Sequence, residues 1–209
     1  MSGSDHPRGR LFVIAAPSGA GKTSLVRALM EHHRNLGFSV SFTTRPRRPT
    51  EVDGRDYHFV SRDQFDQMVR AGEFVEHADV FGNGYGTGRA QVEQALAAGQ
   101  DLILEIDWQG ARQVREQLPE AIDIFILPPS RAALERRLKG RGTDSPEVIA
   151  RRLSESVAEM LHWAEFRYVV VNDDFTRALA ELESIVAGTG AALRSDRPGL
   201  GQFAEGLLA

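Results

Sequence analysis

The eight residues APSGAGKT, Ala16 to Thr23, set two glycines, a lysine and a hydroxyl at the spacing that wraps a polyphosphate. Gly19 and Gly21 let the backbone past Pro17, Ser18 and Ala20 curl so that successive N–H groups turn toward phosphate oxygens. Lys22 brings a flexible positive charge for the terminal phosphates. The Thr23 hydroxyl can stand beside a phosphate-bound Mg2+, and Ser24 follows in the first helical turn. Ala16 departs from the strict pattern, which has glycine there, yet it needs only to tolerate the start of the loop. The competing reading is a glycine-rich turn with an accidental lysine. The apolar strand before the loop and the amphipathic helix after it oppose that reading.

Two further clusters carry charge. Arg45, Arg47 and Arg48 crowd the stretch around Pro46 and Pro49, and a guanidinium fork binds phosphate through paired hydrogen bonds. Tyr57 and Tyr85 can donate hydroxyls to the same anion. Because one loop already serves a donor triphosphate, a second phosphate site suits a phosphorylated acceptor; a charged surface loop is the alternative. Glu105 and Asp107 end the apolar run DLILEID, where open α/β sheets present ligands. If the strand persists to Asp107, both carboxylates leave it on one side. One can reach a metal and the other a second substrate, or both form a solvated strand end. Ser41, Glu76 and Asp107 offer a hydroxyl and two carboxylates that can accept from the N1–H and 2-amino group of a guanine.

The elements that must position these groups alternate along the chain. RLFVIAA (10–16) reads as a buried strand, followed by the loop and the helix LVRALMEHHRN. FSVSF (38–42) reads as a second strand, and YHFV (57–60) as a short one after an irregular insertion. The spacing predicts a helix from Arg62 to Gly72 with Phe65, Met68 and Val69 on its apolar face, and a strand or hairpin arm from Phe74 to Phe81. Helix, strand, helix, strand and basic helix then follow to Lys139, with Gln109–Gln117 and Arg131–Lys139 helical. The alternation implies a mostly parallel sheet covered by helices. A turn at 140–145 leads to a helix from Pro146 to about Trp163, and the two helices so joined can form a lid. RYVVVNDD supplies the last strand and FTRALAELESIVAG the closing helix. Past Gly188 weak periodicity predicts a frayed tail, with FAEGLLA as a possible terminal helix.

Composition limits the function. The 209 residues, 42% hydrophobic, suffice for one compact domain with insertions. A net charge of -4 gives no global attraction for nucleic acid, so the arginines need a local anion. With no cysteine, disulfides, thiolate catalysis and cysteine-bound metals are excluded. No apolar run reaches membrane-spanning length, and the polar start lacks a signal-peptide core. His32 and His33 read as surface residues, since no ligand cluster accompanies them.

APSGAGKTSL, FSVSFTTRPRRPTEVDGRDYHFV, EFVEHADVFGNGYGTGR, ILEIDWQGARQVR, IFILPPS, RLKGRGTDS and VVNDD together closely resemble the bacterial guanylate kinases, and the resemblance runs from Leu11 to Gly188. It implies the P-loop nucleoside monophosphate kinase fold, α/β, with a central mostly parallel sheet flanked by helices, a small GMP-binding β region and a helical lid. The implied division is a lead-in over 1–9, core with the loop over 10–43, GMP-binding region over 44–88, core over 89–130, lid and hinges over 131–157, core over 158–188, and tail over 189–209. It implies transfer of the ATP γ-phosphate to GMP or dGMP with Mg2+, in the cytoplasm, without nucleic acid or membrane partners.

Carried over residue by residue, Arg45, Arg48, Tyr57 and Tyr85 bind the GMP phosphate. Ser41, Glu76, Thr87 and Asp107 read or support the guanine edge. Ala16 through Ser24 hold ATP, with Asn172 on the adenine side. Lys22, Arg137, Arg141 and Arg152 compensate charge during transfer; the lid arginines can remain solvated while the enzyme is open and approach the donor phosphates on closure. Thr23 and Glu105 serve the metal, Glu105 through its bound water, although the family often has aspartate there. Gly84 stands where relatives commonly have tyrosine, which removes bulk beside Tyr85. Asp173 and Asp174 are candidate caps for the closing helix. The resemblance leaves two other readings open: a non-catalytic module that binds phosphoproteins, and a related kinase with another acceptor.

Overall fold

A computed structural model describes residues 7–80, 82–140 and 146–208. The expectations for Arg141 and for the turn over 141–145 lie outside the described residues. The chain runs β1 (Leu11–Ala15), α1 (Lys22–His32), β2 (Leu36–Phe38), β3 (Phe42–Thr43), β4 (His58–Phe59), α2 (Arg62–Arg70), β5 (Phe74–Val80), β6 (Asn83–Gly88), α3 (Arg89–Ala97), β7 (Asp101–Glu105), α4 (Trp108–Gln117), β8 (Ile122–Leu127), α5 (Arg131–Lys139), α6 (Pro146–Met160), β9 (Tyr168–Val171), α7 (Phe175–Val186) and α8 (Leu200–Leu208). Single 3-10 turns stand at Trp163–Glu165 and Gly190–Leu193.

One sheet takes the order β2-β7-β1-β8-β9, and the second takes β4-β3-β6-β5. In the first, β2 runs parallel to β7 and β8 parallel to β9. Its strands are apolar almost throughout, with all five residues of β1 buried, as a sheet covered on both faces requires. In the second, β3 is parallel to β4 while β6 is antiparallel to both β3 and β5. The chain divides into two compact units. One comprises the described residues of Met1–Phe12, Asn35–Leu104 and Gln109–Ala121; the other comprises those of Val13–Arg34, Glu105–Trp108 and Ile122–Ala209.

In the second unit, α1 buries Leu25, Val26 and Leu29, and α7 buries Ala178, Leu179, Leu182, Ile185 and Val186. Asp174 caps α7 by accepting from the Arg177 amide, the role its position in the sequence suggests. The segment past Gly188 is more ordered than its composition implies. There α8 buries Leu200, Ala204 and Leu207, which supplies the apolar anchor that weak periodicity concealed.

The first unit departs further from expectation. FSVSF is not one strand. β2 stops at Phe38 and the run resumes as β3 in the other sheet, after the buried Ser39 donates its N–H to the Ile103 carbonyl. NGYGTG, whose three glycines are poor strand formers in general, is β6, the strand that β3 and β5 both pair with. Two of its glycines are there for want of space. A Cβ at Gly84 would lie 2.7 Å from the Phe65 ring, and one at Gly86 would lie 2.9 Å from the Phe74 ring. Gly84 therefore makes room for a buried aromatic of α2 and does more than thin out the surroundings of Tyr85. A third difference concerns DLILEID: β7 ends at Glu105, so strand alternation does not carry through to Asp107.

Gly84→Ala should overpack the Phe65 ring and cost about 1–3 kcal/mol of stability, measured by urea unfolding. Combining it with Phe65→Leu should return part of that loss. Equal midpoints for wild type and Gly84→Ala would contradict the packing account.

Candidate functional site

The donor-loop residues belong to the second unit. Gly21 sits at φ 96, a left-handed conformation that favours glycine. A Cβ there would also lie 2.4 Å from Asn172 Nδ2. α1 begins at Lys22 with Gly21 at its N-cap and no side chain capping its first turn. Its opening amides are thereby left to an anion. The loop walls a cavity of about 260 Å3, and Asp107 and Glu159 complete the wall.

Lys22 Nζ donates to the Ile106 carbonyl at 3.1 Å. Desolvation pushes the lysine's pKa below its ordinary value, while Glu105, Glu159 and Asp107 oppose that shift. Thr23 Oγ1 donates to Glu105 Oε1 at 2.5 Å, so the two candidate metal-site residues are already joined. Among the described residues no three His, Cys, Asp or Glu side chains gather as a metal cage.

Carbonyls and side chains hold the loop from behind. Ala20, fully buried, presents its carbonyl to Asn172 Nδ2 at 2.7 Å and to Arg137 at 3.2 Å. Arg137 also donates to the Asn172 carbonyl at 2.9 Å. This corrects the expectation of a solvated lid arginine: Arg137 is partly buried and bound to two backbone carbonyls, because α5, capped by Ser130, brings it onto the loop. Asn172, 4% exposed, serves as a buttress of the loop. It and Arg137 also line a second cavity of about 480 Å3 with Asp173 and Phe175. Arg152 lies on α6. Glu159 is the residue sequence reasoning missed here. It accepts from the Ser18 amide at 3.2 Å, and burial raises its carboxyl pKa, with the Ser18 bond and Lys22 acting against that rise.

Seven of the eight acceptor candidates belong to the first unit; Asp107 belongs to the other, on the loop cavity. Glu76 and Thr87 lie directly opposite each other on β5 and β6. Thr87 Oγ1 donates to Glu76 Oε1 at 2.5 Å, and both are buried. Ser41 stands just before β3, its carbonyl accepting from the His58 amide.

Arg45 is held on several sides. Its guanidinium donates to Glu51 Oε1 at 2.6 Å and to the Pro46 carbonyl at 2.7 Å. It lies 5.5 Å from the Tyr57 ring and 5.9 Å from that of Phe59, within cation–π range. Tyr57 and Tyr85 meet edge to face at 6.0 Å. Hydrogen bonds, first to Glu51 and then to Tyr85, hold the Arg45 pKa above its ordinary value. Glu51 also accepts from the Arg48 amide at 2.7 Å through its second oxygen. The Arg48 side chain is exposed. Glu51 is a second residue the sequence reading passed over; its place three residues after Arg48, returning to that residue's amide, was the available signal.

A family model described as guanylate kinase matches residues 8–189. A guanylate kinase of Alkalilimnicola ehrlichii is 56% identical over 200 residues, covering 96% of this chain and 98% of that protein. One of Thiobacillus denitrificans is 56% identical over 177 residues, 85% of each chain. The crystal structure of guanylate kinase from Anaplasma phagocytophilum superposes with a TM-score of 0.71 at 33% identity, covering 95% of both chains.

The bonds from Arg45 and then from the Arg48 amide hold the Glu51 carboxyl below the ordinary carboxylate range. A depressed carboxyl favours the folded state above its unfolded pKa, and that contribution is lost as pH falls through the folded value. A carbon-detected NMR titration of Glu51 should show a midpoint under 4.5, moving up toward that value in Arg45→Met. A midpoint unmoved by that substitution would contradict the pairing.

Proposed function

The chain belongs to the guanylate kinase family, and from that premise we propose that it transfers the γ-phosphate of ATP to GMP or dGMP, yielding ADP and GDP or dGDP. The observation that carries the reading is the uncapped start of α1 behind a left-handed Gly21, with Lys22 held among carboxylates. Such a site offers amides and one ammonium to a polyphosphate, which a module that binds only a monophosphate has no use for.

In this reading the loop from Ala16 to Ser24 binds the ATP phosphates, and Asn172 and Arg137 keep the Ala20 peptide in the conformation that aims its neighbours' amides outward. Burial lowers the Lys22 pKa, and the carboxylates around it act against that fall in favour of the ammonium form. The Thr23–Glu105 pair, with no cage of described residues around it, fits Mg2+, which keeps waters and phosphate oxygens as most of its ligands. Bound there, Mg2+ supplies neutralisation of phosphate charge. The extra methylene of Glu105 over aspartate is compatible with this role, since it already reaches the Thr23 hydroxyl.

On the acceptor side, Arg45 and Arg48 bind the GMP phosphate with Tyr57 and Tyr85. Glu76, oriented by Thr87, accepts from the guanine N1–H and 2-amino group, with Ser41 and Asp107 assisting. Adenine presents no such pair of donors, so its binding would leave the buried Glu76 poorly matched. The acceptor phosphate is already a nucleophile, so the transfer needs no general base. In-line placement and charge compensation by Lys22, Arg137, Arg141 and Arg152 do the rest. Exclusion of water at the donor phosphates limits hydrolysis of ATP. The reading carries with it a cytoplasmic place of action; no described helix is long and apolar enough to cross a membrane.

A coupled assay of ADP formation tests the proposal. Rapid turnover with GMP, and slow turnover with AMP and UMP, is the expected pattern. Folded protein that forms no ADP with GMP but binds a phosphopeptide would support the binding module instead. Lys22→Ala should lower kcat about a hundredfold or more with every acceptor, on the scale of losing a charge stabiliser; retained turnover would remove Lys22 from phosphate handling. Glu76→Gln, which turns an acceptor into a mixed donor and acceptor, should depress kcat/KM for GMP at least tenfold while leaving AMP little changed, about the size of one lost buried hydrogen bond. An unaltered GMP-to-AMP ratio would reject the base-reading role.

A further inference from the structure

The backbone of Ser18 is gripped on both sides of its Cα by α6. Its N–H donates to Glu159 Oε2 at 3.2 Å, and its carbonyl accepts from Ser156 Oγ at 3.2 Å. These two side chains come from one helix face that also carries Arg152, at positions i, i+4 and i+7 from it. We propose that Ser156 and Glu159 are positioning residues for phosphoryl transfer: by clamping the Ser18 backbone they set the register of α6, and with it Arg152, against the phosphate loop. The inference rests on the reading of Arg152 as a charge-compensating residue.

Three observations favour a clamp over incidental packing. Ser156 is fully buried, so its hydroxyl needs a protein partner, and the partner is a carbonyl of the loop. Glu159 places a carboxylate on the wall of the cavity built for an anion. That arrangement repels phosphate unless the charge is offset. Lys22 offsets it: each group lies in the other's field. Finally, the two bonds hold the two peptide groups that flank the Ser18 Cα, one by its N–H and the other by its carbonyl, which fixes translation along α6 and rotation about it together. A single contact would leave one of these loose. The loop is then held at two successive points, Ser18 by α6 and Ala20 by Arg137 and Asn172. Both arginine-bearing helices are thereby referenced to the same three residues of backbone, Ser18 to Ala20.

The test uses Ser156→Ala and Glu159→Ala in the full chain, each alone and in the Arg152→Ala background, with kcat, KM for GMP and thermal midpoint measured for all. Arg152→Ala alone should lower kcat about a hundredfold. Each clamp variant alone should lower kcat about tenfold or more, the scale of a sub-ångström to 1 Å misplacement, with KM for GMP within twofold of wild type. In the Arg152→Ala background each should add less than about twofold, because residues acting as one unit are not additive. Amide hydrogen exchange at Ser18 should quicken in Glu159→Ala. Ser156→Ala removes a single oxygen and carries the test should Glu159→Ala fail to fold. Full additivity in the Arg152→Ala background, an unchanged kcat in the clamp variants, or a fall in thermal midpoint with KM for GMP rising in each clamp variant would overturn the clamp while leaving the Arg152 assignment standing. Near-wild-type kcat in Arg152→Ala itself would overturn that assignment, and the inference with it.

Discussion

A loop that offers its backbone amides to phosphate cannot also use those amides to hold its own shape, and most of the donor unit follows from that constraint. The polar atoms left for structural work are the carbonyls, so the supports reach for carbonyls. Arg137 and Asn172 share that of Ala20, Ser156 takes that of Ser18, and Lys22 rests on that of Ile106. Gly21 adopts a left-handed conformation with Asn172 pressed against it, which allows the buttress to approach where a side chain would block it. Two amides are exceptions: that of Ser18 goes to Glu159, and that of Ala20 to the Pro17 carbonyl.

The acceptor unit meets a related difficulty with opposite charge. Arginines and carboxylates half withdrawn from water are costly unless each is paired. Glu51 satisfies Arg45 and the Arg48 amide together, and two aromatic rings cover the guanidinium. Thr87 does the same for Glu76 across a pair of strands. Preorganised in this way, the groups lose little freedom when a ligand arrives, which is where binding energy is otherwise spent.

What could be read from local pattern was read well where the signal was strong. The apolar runs of β1, β7, β8 and β9, the amphipathic α1 and α7, and the GAGKT loop between strand and helix each lie within a dozen or so residues. Where composition misled, a tertiary neighbour explains it. NGYGTG resembles turns because glycine is poor at strands in general, yet here Phe65 and Phe74 occupy the space its side chains would need. FSVSF alternates like one strand, but alternation says nothing about which sheet each half joins.

From the amino-acid order alone came the family resemblance, the phosphate loop, the arginine cluster and the alternation of strands and helices, because these are local and repeat with the period of the backbone. Only the folded chain decided that Glu76 faces Thr87, that Glu51 anchors Arg45, that Arg137 is tied to the loop, and that Glu159 and Ser156 close on Ser18. Strand register and helix docking bring together residues as much as 152 positions apart. Such meetings are set by how buried surfaces pack and how buried polar atoms find partners, a balance summed over the whole chain that no short window of sequence contains.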